Sequence, residues 1–564
     1  MDLLAYDPAT GYAEVYKEQF AAEAENFFED ALTKSKIDPE ENARLASALR
    51  KLQEKKEHCS GKKILWILLL TAIIILFVIR AIFILCNVPE EEQTDSWVLF
   101  FLGAAVGMGV IIFKLIPRIK ALGSQEAELE KHCSDLYDQI IKQLAPLYRH
   151  FTWHTLTDLF SRVITPVEFD EFLSNERLED LKANFGLAIE DEPDSTITGA
   201  YSGTFYGYPF VFTEDISVVW GTRVWSGSLP ITYQEKTVNA EGKTIWVTRT
   251  QILTATVTKP APEFPLNRNF FFGHHEAPNL CFSRTPSSLS GGEGFWHNLS
   301  KKYQLRQLRK FEQNLTDESQ YTMVANHDFE VLFRSENRNN EVEFRMLYTP
   351  LAQQYMVKLL NDREAGFGDD FAWFKKGCIT RIVSEHLNQT SLSEAPFRSD
   401  KFDLNEIKEL FLRTSGAFFK SFYFSFAPVF LIPSYNAPRF KGVTTASEEF
   451  TISPCEIEGA AYAHSRLFAP HESITENIFN VNCYSSRKGT VRAVIESIGY
   501  AGVEHVEYVS CYGKDGRFHN VPVPWVEYVP VSEHTPVMVW KEKNVPPDAK
   551  ILFSRRGIVF GKVK

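Results

Sequence analysis

The chain has 564 residues, of which 44% are hydrophobic and 23% charged, and its net charge is −12 at pH 7. This length leaves room for two or three domains beside a membrane segment. The acidic balance argues against nucleic acid as a partner, because neutralising a phosphate backbone requires a basic stripe.

Two apolar runs near the N-terminus, Ile64–Cys86 and Trp97–Ile116, are each about as long as a helix that crosses a ~30 Å hydrocarbon layer. We interpret residues 64–116 as a transmembrane helical hairpin with the lipid bilayer as a partner. Lysines and arginines flank both runs, and the loop between them carries only the acidic charges of Glu90, Glu91, Glu92 and Asp95. The positive-inside rule therefore predicts a multi-pass membrane protein with both termini in the cytoplasm.

Small residues in the second run predict a close helix contact. Gly103 and Gly107 form a G-x-x-x-G pattern, which allows two helix backbones to approach each other in a membrane. The contact joins either the two runs of one chain or the helices of two chains, and the second alternative makes a homo-oligomer.

Helical segments on either side of the hairpin predict a stalk. Residues 1–63 form a cytoplasmic helical segment, with an amphipathic helix over about Gly11–Leu32 and a second helix that begins at Asp38-Pro39. Residues 117–160 form a membrane-proximal helix. Apolar residues at coiled-coil spacing are predicted to pack the two stalk helices against each other: Leu45, Leu49, Leu52, Leu129, Leu136 and Ile140. A bundle buried elsewhere in the domain is the alternative.

From about Ile197 the apolar period changes to two, which predicts an α+β domain over 161–440 with antiparallel sheets, followed by a β-rich domain over 441–564. Predicted strands cover Ala200–Phe212, Ile216–Trp225, Ile231–Val238, Lys243–Lys259, Glu330–Phe333, Glu341–Tyr348, Val503–Tyr512 and Arg517–Val531. Predicted helices cover Leu299–Leu315, a segment from the cap Thr349 to Leu360, and Leu404–Thr414, and Ala417–Pro433 is predicted to be core. The basic helix at Leu299–Leu315 either presents a solvated face or contacts anionic lipid.

No complete catalytic or cofactor motif is present. Gly242-Lys243-Thr244 ends like a phosphate-binding loop, but Thr237 stands where that loop needs a glycine, and a strand follows instead of a helix. The eight cysteines include no C-x-x-C pair, so neither a disulfide framework nor a metal site is predicted, and no cofactor is expected.

One weak candidate for acid–base chemistry is the loop that contains His274, His275 and Glu276. Asp369 and Asp370 are its possible partners. If these side chains converge on one polar pocket, the protein is a membrane-anchored hydrolase.

Two segments resemble a bacterial family of two-span membrane proteins that carry a domain of unknown function. They are Asp328-Phe329-Glu330 and the stretch Glu341–Pro350, which is similar to that family's E-A-R-x-x-L-T-P pattern. Phe344 stands where the family usually has alanine, and Tyr348 where it has leucine. The resemblance covers about Ile197–Leu360 with the preceding hairpin, and later stretches look like a longer firmicute or mollicute relative. It implies an α+β domain tethered to the bacterial cytoplasmic membrane, without an assigned catalytic residue.

The sequence thus favours a protein that is not an enzyme, a membrane-anchored scaffold or sensor. Its cytoplasmic part is expected to bind a protein partner or the inner membrane surface. The hydrolase is the alternative. A channel or transporter subunit is a third class, which the sequence supports little because the predicted spans carry no polar stripe.

Overall fold

The computed structural model describes residues 6–87, 103, 107, 109, 111–152, 154–187, 194–238, 243–292, 295–313, 321–389, 401–439, 451–487, 490–547 and 549–562. Over these residues the protein is mixed α and β with antiparallel sheets, as the sequence predicts. Residue contacts divide the chain into two compact units. The helical unit consists of Glu23–Thr152 and Phe397–Thr414, and the mixed unit consists of Met1–Ala22, Trp153–Pro396 and Ser415–Lys564.

The helices and strands have the following bounds. The helices are α1 (Pro8–Gly11), α2 (Lys17–Ser35), α3 (Pro39–Asn87), α4 (Ile116–Tyr148), α5 (Thr155–Val163), α6 (Asn175–Phe185), α7 (Phe295–Gln313), α8 (His327–Phe333), α9 (Glu341–Leu347), α10 (Pro350–Asn361), α11 (Leu404–Phe430) and α12 (Pro454–Ala463). The strands are β1 (Val167–Phe169), β2 (Ser195–Phe205), β3 (Tyr208–Ser217), β4 (Val219–Val238), β5 (Thr244–Glu263), β6 (Leu266–Gly273), β7 (Cys281–Arg284), β8 (Phe371–Lys376), β9 (Ile379–Ser384), β10 (Ile478–Arg487), β11 (Thr490–Tyr512), β12 (Phe518–Lys541), β13 (Ile551–Arg555) and β14 (Ile558–Lys562).

The two long helices of the helical unit, α3 and α4, run antiparallel. The Asp38 carboxylate accepts hydrogen bonds from the first amides of α3, with Pro39 in the first turn, so the predicted helix start is observed. Lys56 pairs with Glu130 at 3.0 Å and Lys63 with Glu126 at 2.7 Å. The residue number rises along α3 while it falls along α4, which fixes the antiparallel direction.

The apolar residues of the predicted stalk are covered to different degrees. Leu49 and Ile140 are buried, and the other four stalk positions are partly buried. Nearby, Asn42 binds the Gln143 side chain at 3.3 Å and accepts the Leu404 amide at 3.0 Å. This contact attaches the first turn of α11 to α3 and α4, which the sequence did not predict. The direct leucine contacts of the stalk stay a prediction.

The apolar part of α3 is long and hydrophobic enough to cross a membrane. Within Pro39–Ile79 an 18-residue window has a mean hydropathy of 2.5, and none of that window is buried in the protein. Most of the predicted second span lies outside the described residues. Gly107 is described as helical, and a methyl group added to it would lie 2.5 Å from the Phe77 ring, so this glycine permits close packing against α3. Gly103 has nothing within 4 Å of the same position.

A seven-stranded antiparallel sheet forms the centre of the mixed unit, in the order β1-β2-β3-β6-β9-β8-β7. Helix α11 covers it with aromatic side chains: the Phe426 ring lies 4.7 Å from Phe270 and 5.0 Å from Phe210, centroid to centroid. The sequence predicted a helix that ends at Thr414, but α11 continues to Phe430. The reason is that apolar residues keep the helical spacing beyond Thr414. Pro428 removes one hydrogen bond from the last turn, and the helix ends two residues later.

Two predicted strands, Glu330–Phe333 and Glu341–Tyr348, are wrong, because these segments are the short helices α8 and α9. Each helix begins at an asparagine: the Asn326 side chain accepts the Phe329 amide, and the Asn340 side chain accepts the Glu343 amide. These caps outweigh the strand preference of the Val and Phe residues in each segment, which is too short to show a helical period. Thr349 caps α10 in the same way, which confirms the helix predicted there.

The C-terminal part is β-rich, as predicted, and its strands form a five-stranded sheet in the order β10-β11-β12-β14-β13. Helix α12 contacts both β2 and β10. Ile457 and Ala460 of α12 share one core with Phe479 and, at its margin, with Phe172. Residues on both sides of position 440 therefore belong to the mixed unit. The sequence predicted a domain boundary at this position.

Two long β-hairpins pack face to face within the mixed unit. The first is β4–β5 and the second is β11–β12, whose turn holds Lys514-Asp515-Gly516 as the sequence predicts. Their inner faces meet in a small core that includes Ile231, Leu253 and Val257 of the first hairpin and Val521 and Val523 of the second. The predicted turn of the first hairpin, 239–242, lies outside the described residues.

Candidate functional site

His274 follows the last residue of β6 and is buried among aromatic rings. Its ring lies 3.8 Å from Tyr208 and 4.6 Å from Tyr435, and its Nδ1 accepts a hydrogen bond of 3.0 Å from the Glu276 amide. Burial, helped by the nearby Lys375 charge, lowers the pKa of His274 to about 3. The imidazole is therefore neutral at physiological pH and too weakly basic for proton abstraction.

The other two residues of the predicted cluster do not complete a site. His275 is exposed and stacks on Phe185 at 4.6 Å. Glu276 contributes its backbone, since its carbonyl accepts from Lys375 Nζ at 3.2 Å. The same Nζ donates to the Gly377 carbonyl at 2.7 Å, and burial lowers the pKa of Lys375 to about 8. This lysine joins two turns and has no carboxylate partner in the described contacts.

Asp369 and Asp370 belong to other networks. Asp369 accepts from Arg284 Nη2 at 2.6 Å, from the Ser287 amide at 2.7 Å and from Ser290 Oγ at 2.7 Å. Arg284 in turn donates to the Phe371 carbonyl, so this pair connects β7, β8 and the loop after β7. The convergence on which the hydrolase alternative depended is not observed, because Asp369 binds Arg284, and Asp370 binds His386 and neither histidine of the predicted cluster.

A second arrangement has the order of a catalytic triad, but its serine is fully buried. His386 Nδ1 lies 2.5 Å from Asp370 Oδ2, and its Nε2 lies 3.1 Å from both Ser425 Oγ and the Ser421 carbonyl. The Ser425 hydroxyl donates to that same carbonyl at 2.9 Å. In this arrangement the Ser425 hydroxyl proton is given to a backbone carbonyl and not to the imidazole. With Ser425 fully buried, this cluster attaches residues 370 and 386 to α11.

The segments Asp328–Glu330 and Glu341–Pro350 surround a buried arginine that the sequence analysis missed. Arg338 Nη2 lies 2.7 Å from Glu330, its Nε lies 2.7 Å from Glu341, and its guanidinium carbon lies 4.2 Å from the Phe344 ring centre. Glu330 also accepts the Val324 amide at 2.8 Å. The acidic residues of the motif thus hold α8 and α9 together. The glutamates on either side of an unassigned arginine are the only signal that could have indicated this role.

Helix α7 is the basic helix that the sequence predicted, and the structure describes its side chains from Leu299 onward. Lys302, Arg306 and Lys310 are exposed. Leu308, on the opposite side of the helix, is buried within the mixed unit. An open groove of about 430 Å³ lies along the first turns, between Tyr303 on α7 and Arg334 after α8.

No group of three or more His, Cys, Asp and Glu side chains in the described part of the chain is placed to hold a metal ion. The described cysteines are free, and burial raises the pKa of Cys455 and Cys483, which disfavours their thiolate forms.

Acidification is expected to destabilise the mixed unit through His274. The unfolded chain binds a proton below a pKa of 6.5 and the folded chain only near 3, so stability falls as the pH drops through this window. The loss near pH 4.5 is about 3 kcal/mol. A His274→Phe variant, which keeps the aromatic packing, should lose this part of the pH dependence in denaturant unfolding of the detergent-solubilised chain. The exposed His275→Gln control should behave like the parent, and equal acid sensitivity of all three chains would contradict the assignment.

No protein-family model, no curated protein and no solved structure matches this chain.

Proposed function

We propose that the protein is a membrane-anchored scaffold or sensor whose mixed unit binds a partner on the cytoplasmic side. The observation that carries this proposal is the apolar part of α3, which offers hydrocarbon-compatible side chains that no part of the described chain covers. Leu65, Leu68 and Leu76 are each more than half exposed. So much contiguous apolar surface is unfavourable in water and favourable in a bilayer.

The finer topology is a two-span hairpin with both termini in the cytoplasm. The antiparallel course of α3 and α4 supports it, because two antiparallel helices that cross one membrane return the chain to its starting side. The approach of Gly107 to Phe77 supports a contact between the spans of one chain. Gly103 has no such neighbour within the chain, and we assign it to a contact between two chains in a homo-oligomer. The basic residues before Ile64 and after Ile116 set the orientation.

The absence of catalysis is part of the proposal. Asp369 and Asp370 are each bound to an intrachain partner away from the predicted cluster, and His274 is neutral and enclosed. The mixed unit instead offers exposed surfaces, namely the two hairpins and the outer face of α7. We therefore do not retain the hydrolase alternative, and we keep the resemblance to bacterial two-span proteins as part of the proposal.

Cysteine labelling in intact cells tests the topology. A Thr94→Cys variant is expected to react with a membrane-impermeant maleimide, and Ser124→Cys is expected to react only after permeabilisation, with the parent chain giving the background of its native cysteines. Resistance of the full chain to extraction by alkaline carbonate tests the anchor itself. The reverse labelling pattern would overturn the orientation, and release by carbonate would overturn the membrane span.

A further inference from the structure

The outer face of α7 combines cations with apolar side chains. At 100° per residue, Leu299, Lys302, Tyr303, Arg306 and Lys310 fall within an arc of about 100° on the side opposite the buried Leu308. The three cations repeat every four residues, so they form one stripe along the helix.

No carboxylate of α7 lies on this face. The single acidic residue of α7 is Glu312, and its Oε1 accepts the Met323 amide at 2.9 Å on the inner side. No described ion pair therefore neutralises Lys302, Arg306 or Lys310 within the helix. The positive potential of the stripe is available to an anionic partner.

Exposed apolar side chains on and beside the same face indicate which class of anionic partner it can bind. Leu299 is 49% exposed and Tyr303 61% exposed, and Phe311 at the flank is 43% exposed. Such side chains add nothing to the recognition of a phosphate backbone in water, but they lower the free energy of a helix that lies in the headgroup layer. An amphipathic tyrosine beside lysine and arginine is the composition of an interfacial helix.

The groove beside the first turns adds polar groups that suit a phosphate. Ser287 and Ser288 line one wall, Ser300 and Tyr303 the other, and Arg334 lies at the same opening. Arg334 adopts φ = 54°, a left-handed conformation that costs a residue with a side chain about 1 kcal/mol or more. Arg334 and three serines thus line the same groove.

We propose that the outer face of α7 docks onto an anionic phospholipid leaflet, with a headgroup phosphate in the groove beside Arg334. This inference rests on the proposed function, which places the mixed unit on the cytoplasmic side, where anionic lipids concentrate. The net charge of −12 disfavours a long polyanion such as nucleic acid as the occupant, since the rest of the chain would repel it. An anionic leaflet contacts only one face of the protein. The cations of α7 therefore attract it without the repulsion that the rest of the chain would exert on a long polyanion.

Hydrogen exchange of the full chain in lipid nanodiscs tests the proposal. Amides in 295–313 are expected to exchange more slowly in discs that contain phosphatidylglycerol than in discs of phosphatidylcholine alone, and raised salt should remove the difference. Each cation near an anionic surface changes the docking equilibrium about fivefold, so the triple variant K302E/R306E/K310E should weaken docking about a hundredfold or more and abolish the protection.

Matched variants and lipids separate the outcomes. The variant K243E/K514E/R517E makes the same charge change on the exposed hairpins and should keep the protection in 295–313. Equal exchange in the two kinds of disc would overturn the docking proposal while leaving the anchor intact. A chain that does not enter discs at all would overturn the proposed function first. Protection produced by soluble glycerol phosphate in neutral discs would show a free phosphate ligand and likewise overturn docking on the leaflet.

Discussion

Replacing Arg338 with methionine is expected to destabilise the region of α8 and α9 by about 3–5 kcal/mol, because it leaves buried carboxylates without their cation. The Arg338 side chain is fully buried, and the Glu330 side chain is 1% exposed. Burial alone would lower the pKa of Arg338, but its hydrogen bonds and charge interactions with Glu330 and Glu341 outweigh burial and raise that pKa. The guanidinium therefore stays charged, and its loss cannot be relieved by water.

Arg345→Met is the matched control, because Arg345 also binds Glu341, at 2.6 Å, but is 49% exposed. An exposed ion pair of this kind contributes less than about 1 kcal/mol. Hydrogen exchange of the peptides that cover 321–348, measured in the full chain, compares the two variants locally. If both variants exchange alike, the cluster does not hold these helices together.

Phe426→Ala is expected to cost about 3–5 kcal/mol in the mixed unit, through lost burial and the cavity that remains. Phe426 is fully buried, and its ring packs against rings from four other elements: Phe160 of α5, Phe205 of β2, Phe210 and Phe212 of β3, and Phe270 of β6. Many fixed neighbours make the site unable to collapse around a smaller side chain. The loss should therefore lie at the high end of the range.

The control for this prediction is Phe374→Ala on β8 of the same sheet, where the ring is 39% exposed. We expect a change of at most about 1 kcal/mol there. Denaturant unfolding of the detergent-solubilised chain, followed by tryptophan fluorescence, measures both variants against the parent. A Phe426→Ala midpoint that matches that of Phe374→Ala would show that α11 is not the central element of the core.

The sequence predicted those elements whose signal is local. The turn Lys514-Asp515-Gly516 identified the second hairpin, and Thr349-Pro350 identified α10, because turn and cap residues act within four positions. The same rule applies at Asn326 and Asn340, but there the aromatic and β-branched residues were given more weight than the caps. Short helices of this kind are decided by one hydrogen bond at the start, not by an apolar period.

The rest of the structure depends on contacts between distant residues. The sequence gives no indication that Arg284 lies against Asp369, that His386 binds Ser425, or that Asn42 binds Leu404. A buried cation and an exposed cation look alike in a sequence, and the tertiary fold alone distinguishes them. The candidate site failed for the same reason, since the rings of Tyr208 and Tyr435 enclose His274, and no spacing rule connects these residues.

The face-to-face packing of the two hairpins has a consequence for how the chain is made. The apolar residues Ile231, Leu253 and Val257 are covered by Val521 and Val523, which follow them by about 265–290 residues. At a synthesis rate of about 5–20 residues per second, the first hairpin waits on the order of tens of seconds with its apolar side and both strand edges uncovered. This hairpin therefore reaches its native packing only after β12 has been synthesised.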